Sequence, residues 1–162
     1  MLTNGLYWKT PECAALLAPA AAAPAPVPAA VLLPTQKVTL GADGLFRFDG
    51  GTAADLLPEG RRRIEALAQD IRRDFKAVNA IQVTGHTDRI GSASYNERLS
   101  QLRADTVRDL LVQQGIDRGI VRTVGMGERQ PVTSCEGQKA TPALVACLQP
   151  NRRVDIEVGG QR

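Results

Sequence analysis

Residues 80–115, AIQVTGHTDRIGSASYNERLSQLRADTVRDLLVQQG, decide the fold. The first five are mostly apolar or β-branched, as is typical of a short strand, and Gly85 ends that strand. A glycine-containing loop then leads into about twenty residues whose apolar side chains recur at helical spacing, and Gly115 follows as a C-terminal cap. We therefore predict a strand over 80–84 and a helix over 94–114.

The flanking segments add further strands and a second helix. Apolar residues around the turn signal Ala42-Asp43-Gly44 indicate short strand-like runs over 38–48. From Pro58 onward, apolar side chains at helical spacing predict an amphipathic helix with its arginines in solvent. Further strands are predicted over 120–124 and 153–158. This order is typical of an α/β (α+β) sandwich, with helices packed on a mixed sheet.

Composition limits the classes of partner. The chain has 162 residues, enough for one domain and a tail. Its net charge of +3 favours acidic partners without identifying one. Only 4% of the residues are aromatic and no recognition motif is present, so we predict no nucleic-acid binding.

The N-terminal segment has the composition of a spacer. Residues 14–35 are almost entirely Ala, Pro, Val and Leu, and the prolines interrupt any span long enough for a membrane helix. We expect residues 1–36 to be an N-terminal remnant and flexible linker, and residues 37–160 to form the folded domain. A linker implies another domain on its other side.

Three cysteines leave one without a partner. Cys135 and Cys147 lie close together in a loop-like segment, so we predict a disulfide between them, with Cys13 far away. A metal site is disfavoured, because zinc takes four ligands and the single histidine, His86, lies in a different motif. Paired cysteines suggest an oxidising compartment.

Two charged residues are candidates for a binding site. Asp88 follows a strand, where ligand groups of α/β sheets gather. Arg103 falls within the apolar arc of the next helix and must either extend its charged end to solvent or meet an anion. The two could form a structural salt bridge with each other. They could instead form a bipolar pocket for a zwitterionic amino-acid centre. The arc comprises Leu99, Leu102, Thr106, Val107, Leu110 and Leu111.

These motifs resemble the OmpA-like peptidoglycan-binding family. The resemblance is carried by Thr84-Gly85-His86-Thr87-Asp88, Gly91, Tyr95-Asn96, Leu99-Ser100, Arg103-Ala104, Val107, Gly125-Met126-Gly127-Glu128, Pro131 and Asn151-Arg152-Arg153-Val154. It implies a four-stranded mixed sheet of βαβαβ-β topology with helices on one face. It also implies the periplasmic domain of a Gram-negative outer-membrane protein, joined to an N-terminal β-barrel. Residues 135–147 resemble the disulfide-bearing branch of the family.

The resemblance also implies the ligand and the residues that hold it. Asp88 would take the ammonium group and Arg103 the carboxylate of meso-diaminopimelate in the peptidoglycan stem peptide. The positions Thr87, Asn96, Leu99 and Arg153 would line or support the same groove. No cofactor is implied.

Three alternatives remain. A flagellar stator or a Pal-type lipoprotein would use the same fold to anchor a different membrane component. A wall hydrolase would bind the same polymer, but we find no catalytic constellation of nucleophile, base or metal. We therefore expect a binding module and not an enzyme.

Overall fold

A computed structural model gives the fold of residues 35–161. Four strands form one mixed sheet in the order β1-β4-β2-β3. Both β1 and β2 run antiparallel to β4, whereas β2 and β3 are parallel. Their bounds are Thr35–Gly41 for β1, Ala77–His86 for β2, Val121–Gly125 for β3 and Arg153–Gln161 for β4. The predicted mixed four-stranded sheet is confirmed.

Two long helices cover one face of this sheet. They are α2 (Pro58–Asp74) and α3 (Ala93–Gln113). The predicted start of α2 at Pro58 and the predicted range 94–114 for α3 agree with these bounds to within one residue. Between the helices and the sheet lies a hydrophobic core made mostly of aliphatic side chains. Its fully buried members include Ile64, Ala68, Ile81, Val83, Val107, Leu111, Val154 and Ile156.

Two short helices were not predicted. The first, α1 (Ala42–Leu45), replaces the middle of the strand-like run, because Leu45 turns inward onto α2 at Gly60, where a Cβ would collide with the Leu45 backbone. Phe46 then makes a single β-bridge to Leu56. The second, α4 (Pro142–Cys147), lies between the paired cysteines.

Two strand glycines allow α3 to approach the sheet closely. A Cβ on Gly85 would collide with the Ser100 backbone, and one on Gly125 would collide with that of Gln101. Glycine in a strand interior often marks such a close approach of another backbone. The start of α3 is thereby held against the carboxyl ends of β2 and β3.

One member of the predicted buried arc of α3 is exposed. Leu102 is 41% exposed, so its assignment to the core was wrong. Its side chain lies at the edge of the helix face, beside Gly51. The neighbouring Arg103 is buried, as the helical spacing predicted.

Candidate functional site

A cavity of about 140 Å³ lies at the carboxyl end of β2, beside the first turns of α3. Ligand sites of open sheets commonly lie at this edge. Five of the six side chains proposed for the groove line it: Thr87, Asp88, Asn96, Leu99 and Arg103. The sixth, Arg153, does not.

Asp88 is held from two sides. Its Oδ1 accepts a hydrogen bond from the backbone N–H of Ile90 at 3.0 Å, and its Oδ2 accepts one from Arg152 at 2.7 Å. Such a charge-assisted hydrogen bond fixes the carboxylate strongly. Asp88 therefore pairs with Arg152, and the salt bridge with Arg103 left open by the sequence is not formed.

Arg103 is a buried cation without a carboxylate partner among residues 35–161. The residue is 5% exposed, and its Nε donates to the carbonyl of Gly50 at 2.8 Å. Its guanidinium carbon lies 5.7 Å from the centre of the Phe46 ring, a cation–π distance. Burial lowers the pKa of Arg103, and the charges of Asp43 and Asp49 oppose that shift.

Thr87 and Asn96 hold the loop that carries Asp88. The Asn96 amide donates to the carbonyl of Asp88 at 3.1 Å and to that of Ile90 at 3.0 Å. The Thr87 hydroxyl donates to the carbonyl of Asp88 at 2.9 Å. These contacts fix backbone groups that would otherwise be buried without partners.

Arg152 is a site residue that the sequence reasoning missed. It donates to Asp88 and, at 3.0 to 3.3 Å, to both carboxylate oxygens of Asp43. Burial disfavours its charge, but the hydrogen bonds to Asp43 and Asp88 outweigh burial and raise the pKa of Arg152. The Asn-Arg-Arg motif offered two adjacent arginines, and neighbouring side chains of an extended chain point to opposite sides. The sequence alone did not say which one faces the cavity.

Arg153 lies on the face of the sheet opposite the helices. Its Nε donates to Asp155 at 3.2 Å, and another nitrogen donates to the Gln130 carbonyl at 3.2 Å. His86 Nε2 lies 3.3 Å from the same Asp155 carboxylate. Burial, followed by the charge of Arg153, lowers the pKa of His86, while Asp155 opposes the shift. Arg153 thus belongs to a buried charge cluster behind the site.

Two more carboxylates and a tyrosine line the cavity. They are Asp43, Asp49 and Tyr95, and the Tyr95 hydroxyl donates to Asp49 Oδ1 at 2.6 Å. This hydrogen bond raises the pKa of Tyr95. Each aspartate precedes a glycine, and of the two pairs only Asp43-Gly44 was identified from the sequence, as a turn signal.

The predicted disulfide between Cys135 and Cys147 is confirmed. Cys147 ends α4, and α4 supplies Val145 to the cavity wall. Arg89, beside Asp88, donates to the backbone carbonyls of Cys135 at 2.8 Å and Gly137 at 2.7 Å. The disulfide loop is therefore tied to the loop of Asp88. Cys13 lies outside the described residues.

Residues 35–161 contain no group of three or more His, Cys, Asp or Glu side chains that could hold a metal ion. None of the helices described here is long and apolar enough to cross a membrane.

The OmpA family model matches residues 47–143, more than half of the chain. The chain belongs to the OmpA family. It is 44% identical to outer membrane protein A of Shimwellia blattae over 128 residues, covering 78% of this chain and 52% of that protein. It is 41% identical to outer membrane protein A of Citrobacter freundii over 145 residues, covering 88% and 58%. The chain thus spans about half the length of these two relatives.

Solved structures show the same OmpA-like fold. The periplasmic domain of Helicobacter pylori MotB superposes with a TM-score of 0.63 at 21% identity, covering 79% of this chain and 78% of that one. The cell wall anchor of the T6SS from Pseudomonas aeruginosa gives 0.59 at 30% identity, covering 78% and 82%. The peptidoglycan-associated lipoprotein from Burkholderia pseudomallei gives 0.55 at 24%, covering 74% and 88%. At their lower identities, the first and third show the fold alone.

Proposed function

We propose that this domain binds peptidoglycan non-covalently and anchors the outer membrane to the cell wall. Membership of the OmpA family supports wall anchoring, as does the 30% identity to a protein described as a cell wall anchor. The curated relatives are outer-membrane proteins, which supports a periplasmic position for the domain. The OmpA-like domain is a binding module, so we assign it no catalytic residue.

The ligand that best fits the cavity is the diaminopimelate of the stem peptide. The observation that carries this assignment is Arg103, a buried cation that has no carboxylate partner among the described residues and lines the same cavity as Asp88. A buried unpaired charge costs several kcal/mol, so an incoming carboxylate would gain from meeting it. Asp88, with Asp43 and Asp49 nearby, supplies the opposite charge for an ammonium group. The end of the diaminopimelate side chain carries both groups on one carbon.

The structure suggests separate roles for the other cavity residues. Thr87 and Asn96 would act by positioning the Asp88 loop, to which both donate hydrogen bonds. Leu99 would contact the methylene chain of the ligand. We assign Arg152 to the groove in place of Arg153, because Arg152 reaches Asp88 directly.

The larger protein is also part of the proposal. We propose that residues 1–36 link the domain at 37–160 to an N-terminal outer-membrane β-barrel, as the outer-membrane relatives suggest. A flagellar stator or a lipoprotein remains the alternative within the same fold. The sequence identity is 41–44% to the outer-membrane relatives and 21% to MotB, which favours an outer-membrane protein over a flagellar stator.

Co-sedimentation with purified sacculi tests the binding residues. Asp88→Asn and Arg103→Gln keep approximate side-chain size and remove one charge each, so each should abolish most of the sedimented fraction. Arg98→Gln and Asp70→Asn remove matched charges from exposed or partly exposed positions on α3 and α2 and should bind like the wild type. Circular dichroism would establish that all four variants fold. Unchanged sedimentation of both cavity variants would rule out the assigned residues.

A further inference from the structure

His86 lies in a buried polar cluster on the face of the sheet opposite the helices. The residue is 2% exposed, and its Nε2 lies 3.3 Å from Oδ2 of Asp155, so we assign its proton to Nε2. The other ring nitrogen, Nδ1, is buried and has no hydrogen-bond partner among residues 35–161. A neutral ring needs no donor at Nδ1. A protonated ring would carry a second N–H there without an acceptor, which is costly in a buried position.

The charged groups nearest to His86 come from the two strands beyond β2. Arg153 and Asp155 belong to β4, and Lys37 belongs to β1. The Asp155 carboxylate accepts from Arg153 at 3.2 Å and from the Thr39 hydroxyl at 2.9 Å, and Lys37 Nζ lies 3.7 Å from it. The cluster already holds two cations for one carboxylate. Protonation of His86 would add a third.

Other charged groups on the neighbouring elements are farther from His86 or are engaged elsewhere. Arg122 of β3 and Glu157 of β4 both pair with the β2 residue four positions before His86. In the loop after β3, Arg129 forms a salt bridge with α3, and Glu128 lines a cavity at the disulfide loop. The charge around His86 is therefore set by its nearest neighbours on β1 and β4.

Strand register places His86 directly opposite Arg153. The two residues are partners in the antiparallel pairing of β2 with β4. Side chains of such partners lie close together on one face, and like charges at these positions are destabilising. Both side chains also approach the same oxygen, Oδ2 of Asp155. A protonated His86 would therefore repel Arg153 and compete with it for that oxygen.

The same strand ends carry the salt bridge of the candidate site. Asp88 follows His86 by two residues, Arg152 directly precedes Arg153, and the Asp88 and Arg152 side chains meet at 2.7 Å. Arg152 also lines a second cavity, on the far face of the sheet, together with Arg153 and Asp155. A change in the spacing of His86 and Arg153 therefore acts directly on the two residues that form the salt bridge.

We propose that His86 is a positioning residue that makes ligand binding depend on pH, because its neutral form holds the Asp88–Arg152 salt bridge in place and its protonated form loosens it. This inference rests on the proposed function and adds a regulation of the same site. Burial, followed by the charge of Arg153, lowers the pKa of His86, so the neutral form predominates at neutral pH. Affinity is complete there and falls as the pH drops through the pKa of His86 in the ligand-free domain, because a preorganised site binds more tightly than a loosened one.

Titration of the ligand over a range of pH tests the inference. The full chain is titrated calorimetrically with the glycan-free stem peptide that carries meso-diaminopimelate, from pH 7.5 down to the lowest pH at which circular dichroism shows the native fold. Wild-type affinity should fall by about fivefold or more over this range, the size of an ordinary coupling between two sites. In His86→Gln, which cannot gain the proton, the affinity should be the same at both ends of the range.

Two further variants separate the cluster from the rest of the sheet. Glu157→Gln removes an exposed titratable group from the same face and should keep the wild-type pH dependence. Lys37→Gln removes a cation that opposes protonation of His86. In that variant the pKa of His86 should rise, and the fall in affinity should begin at a higher pH.

Nuclear magnetic resonance of His86 gives a second measurement, which needs no variant because His86 is the only histidine of the chain. A ligand that binds better to the neutral form must lower the pKa of His86, and the two effects are linked by the same factor. The pKa should therefore be lower in the domain saturated with stem peptide than in the free domain. A purely structural role of His86 would leave it unchanged.

Three results would overturn the inference. They are an affinity that stays constant until the domain unfolds, an equal pH dependence in folded His86→Gln, and an equal pKa of His86 with and without the stem peptide. If His86→Gln did not fold, the resonance measurement on the wild type would decide. A wild type that bound no stem peptide at pH 7.5 would reject the proposed function. Binding without these effects of pH would reject this inference alone.

Discussion

The proposal of a zwitterionic ligand rests on charge pairing at single residues. Asp88 forms a salt bridge with Arg152, whereas Arg103 forms none with the described residues. Arg103 contacts a backbone carbonyl and the face of Phe46, and Asp43 and Asp49 act on it through their charges. A ligand carboxylate would therefore meet an unshared cation. A ligand ammonium would join a network of carboxylates that is already partly neutralised. We infer that Arg103 contributes more to affinity than Asp88 does.

His86 predicts a loss of stability in acid. Its folded-state pKa is lowered by burial and by Arg153, so the unfolded chain binds a proton more readily. The stability that neutral His86 contributes should be fully present above the unfolded pKa, about 6.5. The free energy of unfolding should then fall as the pH drops below that value toward the folded pKa. Because His86 is the only histidine of the chain, His86→Gln should remove this dependence. Urea unfolding between pH 7.5 and 5 measures it, and an equally steep loss in the variant would contradict the assignment.

At the scale of elements, repeating patterns were predictable and local turns were not. Both long helices follow apolar spacings that the sequence displays. The strand predicted over 80–84 extends further in both directions, to Ala77–His86, so the prediction that Gly85 ends it was wrong. By contrast, α1 depends on a tertiary contact, since Leu45 packs on Gly60. A local signal, the N-cap Thr141 followed by Pro142, marks the start of α4 and was overlooked. The turn over residues 47–50, which exposes Phe48, was predicted as part of a strand-like run, because its apolar residues alternate like a strand.

The disulfide gives a prediction for one element. Replacing Cys135 and Cys147 by serine should lower the free energy of unfolding by about 3 kcal/mol in the chain-entropy model. It should also weaken binding, because α4 carries Val145 to the cavity wall. Urea unfolding and stem-peptide titration of the double variant measure the two effects, with Cys13→Ser as control. Unchanged stability, or a Cys13 linkage as the main species in a non-reduced digest, would contradict the prediction.

For the whole molecule, the sequence predicted the sheet, the long helices and five of the cavity residues. It assigned Arg153 to the groove and overlooked Tyr95 and Arg152, although each adjoins a residue that it assigned. It also overlooked Asp43 and Asp49, which reach the cavity from a segment distant in sequence. The linker prediction for residues 1–36 falls almost entirely outside the described residues and stays a prediction. A few motifs were sufficient to predict the fold because the chain belongs to the family that these motifs resemble.

The central claim is that the cavity recognises both charges of diaminopimelate. The most direct test is a calorimetric titration of the domain with three matched stem peptides that carry meso-diaminopimelate, its side-chain amide or lysine at the same position. Within the peptide, lysine keeps the side-chain ammonium but leaves Arg103 without a carboxylate, and the amide loses the charge assistance. We predict at least about tenfold weaker binding for both than for diaminopimelate, equivalent to about 1.4 kcal/mol. Equal affinities for all three ligands would contradict the account, even if the domain still bound sacculi.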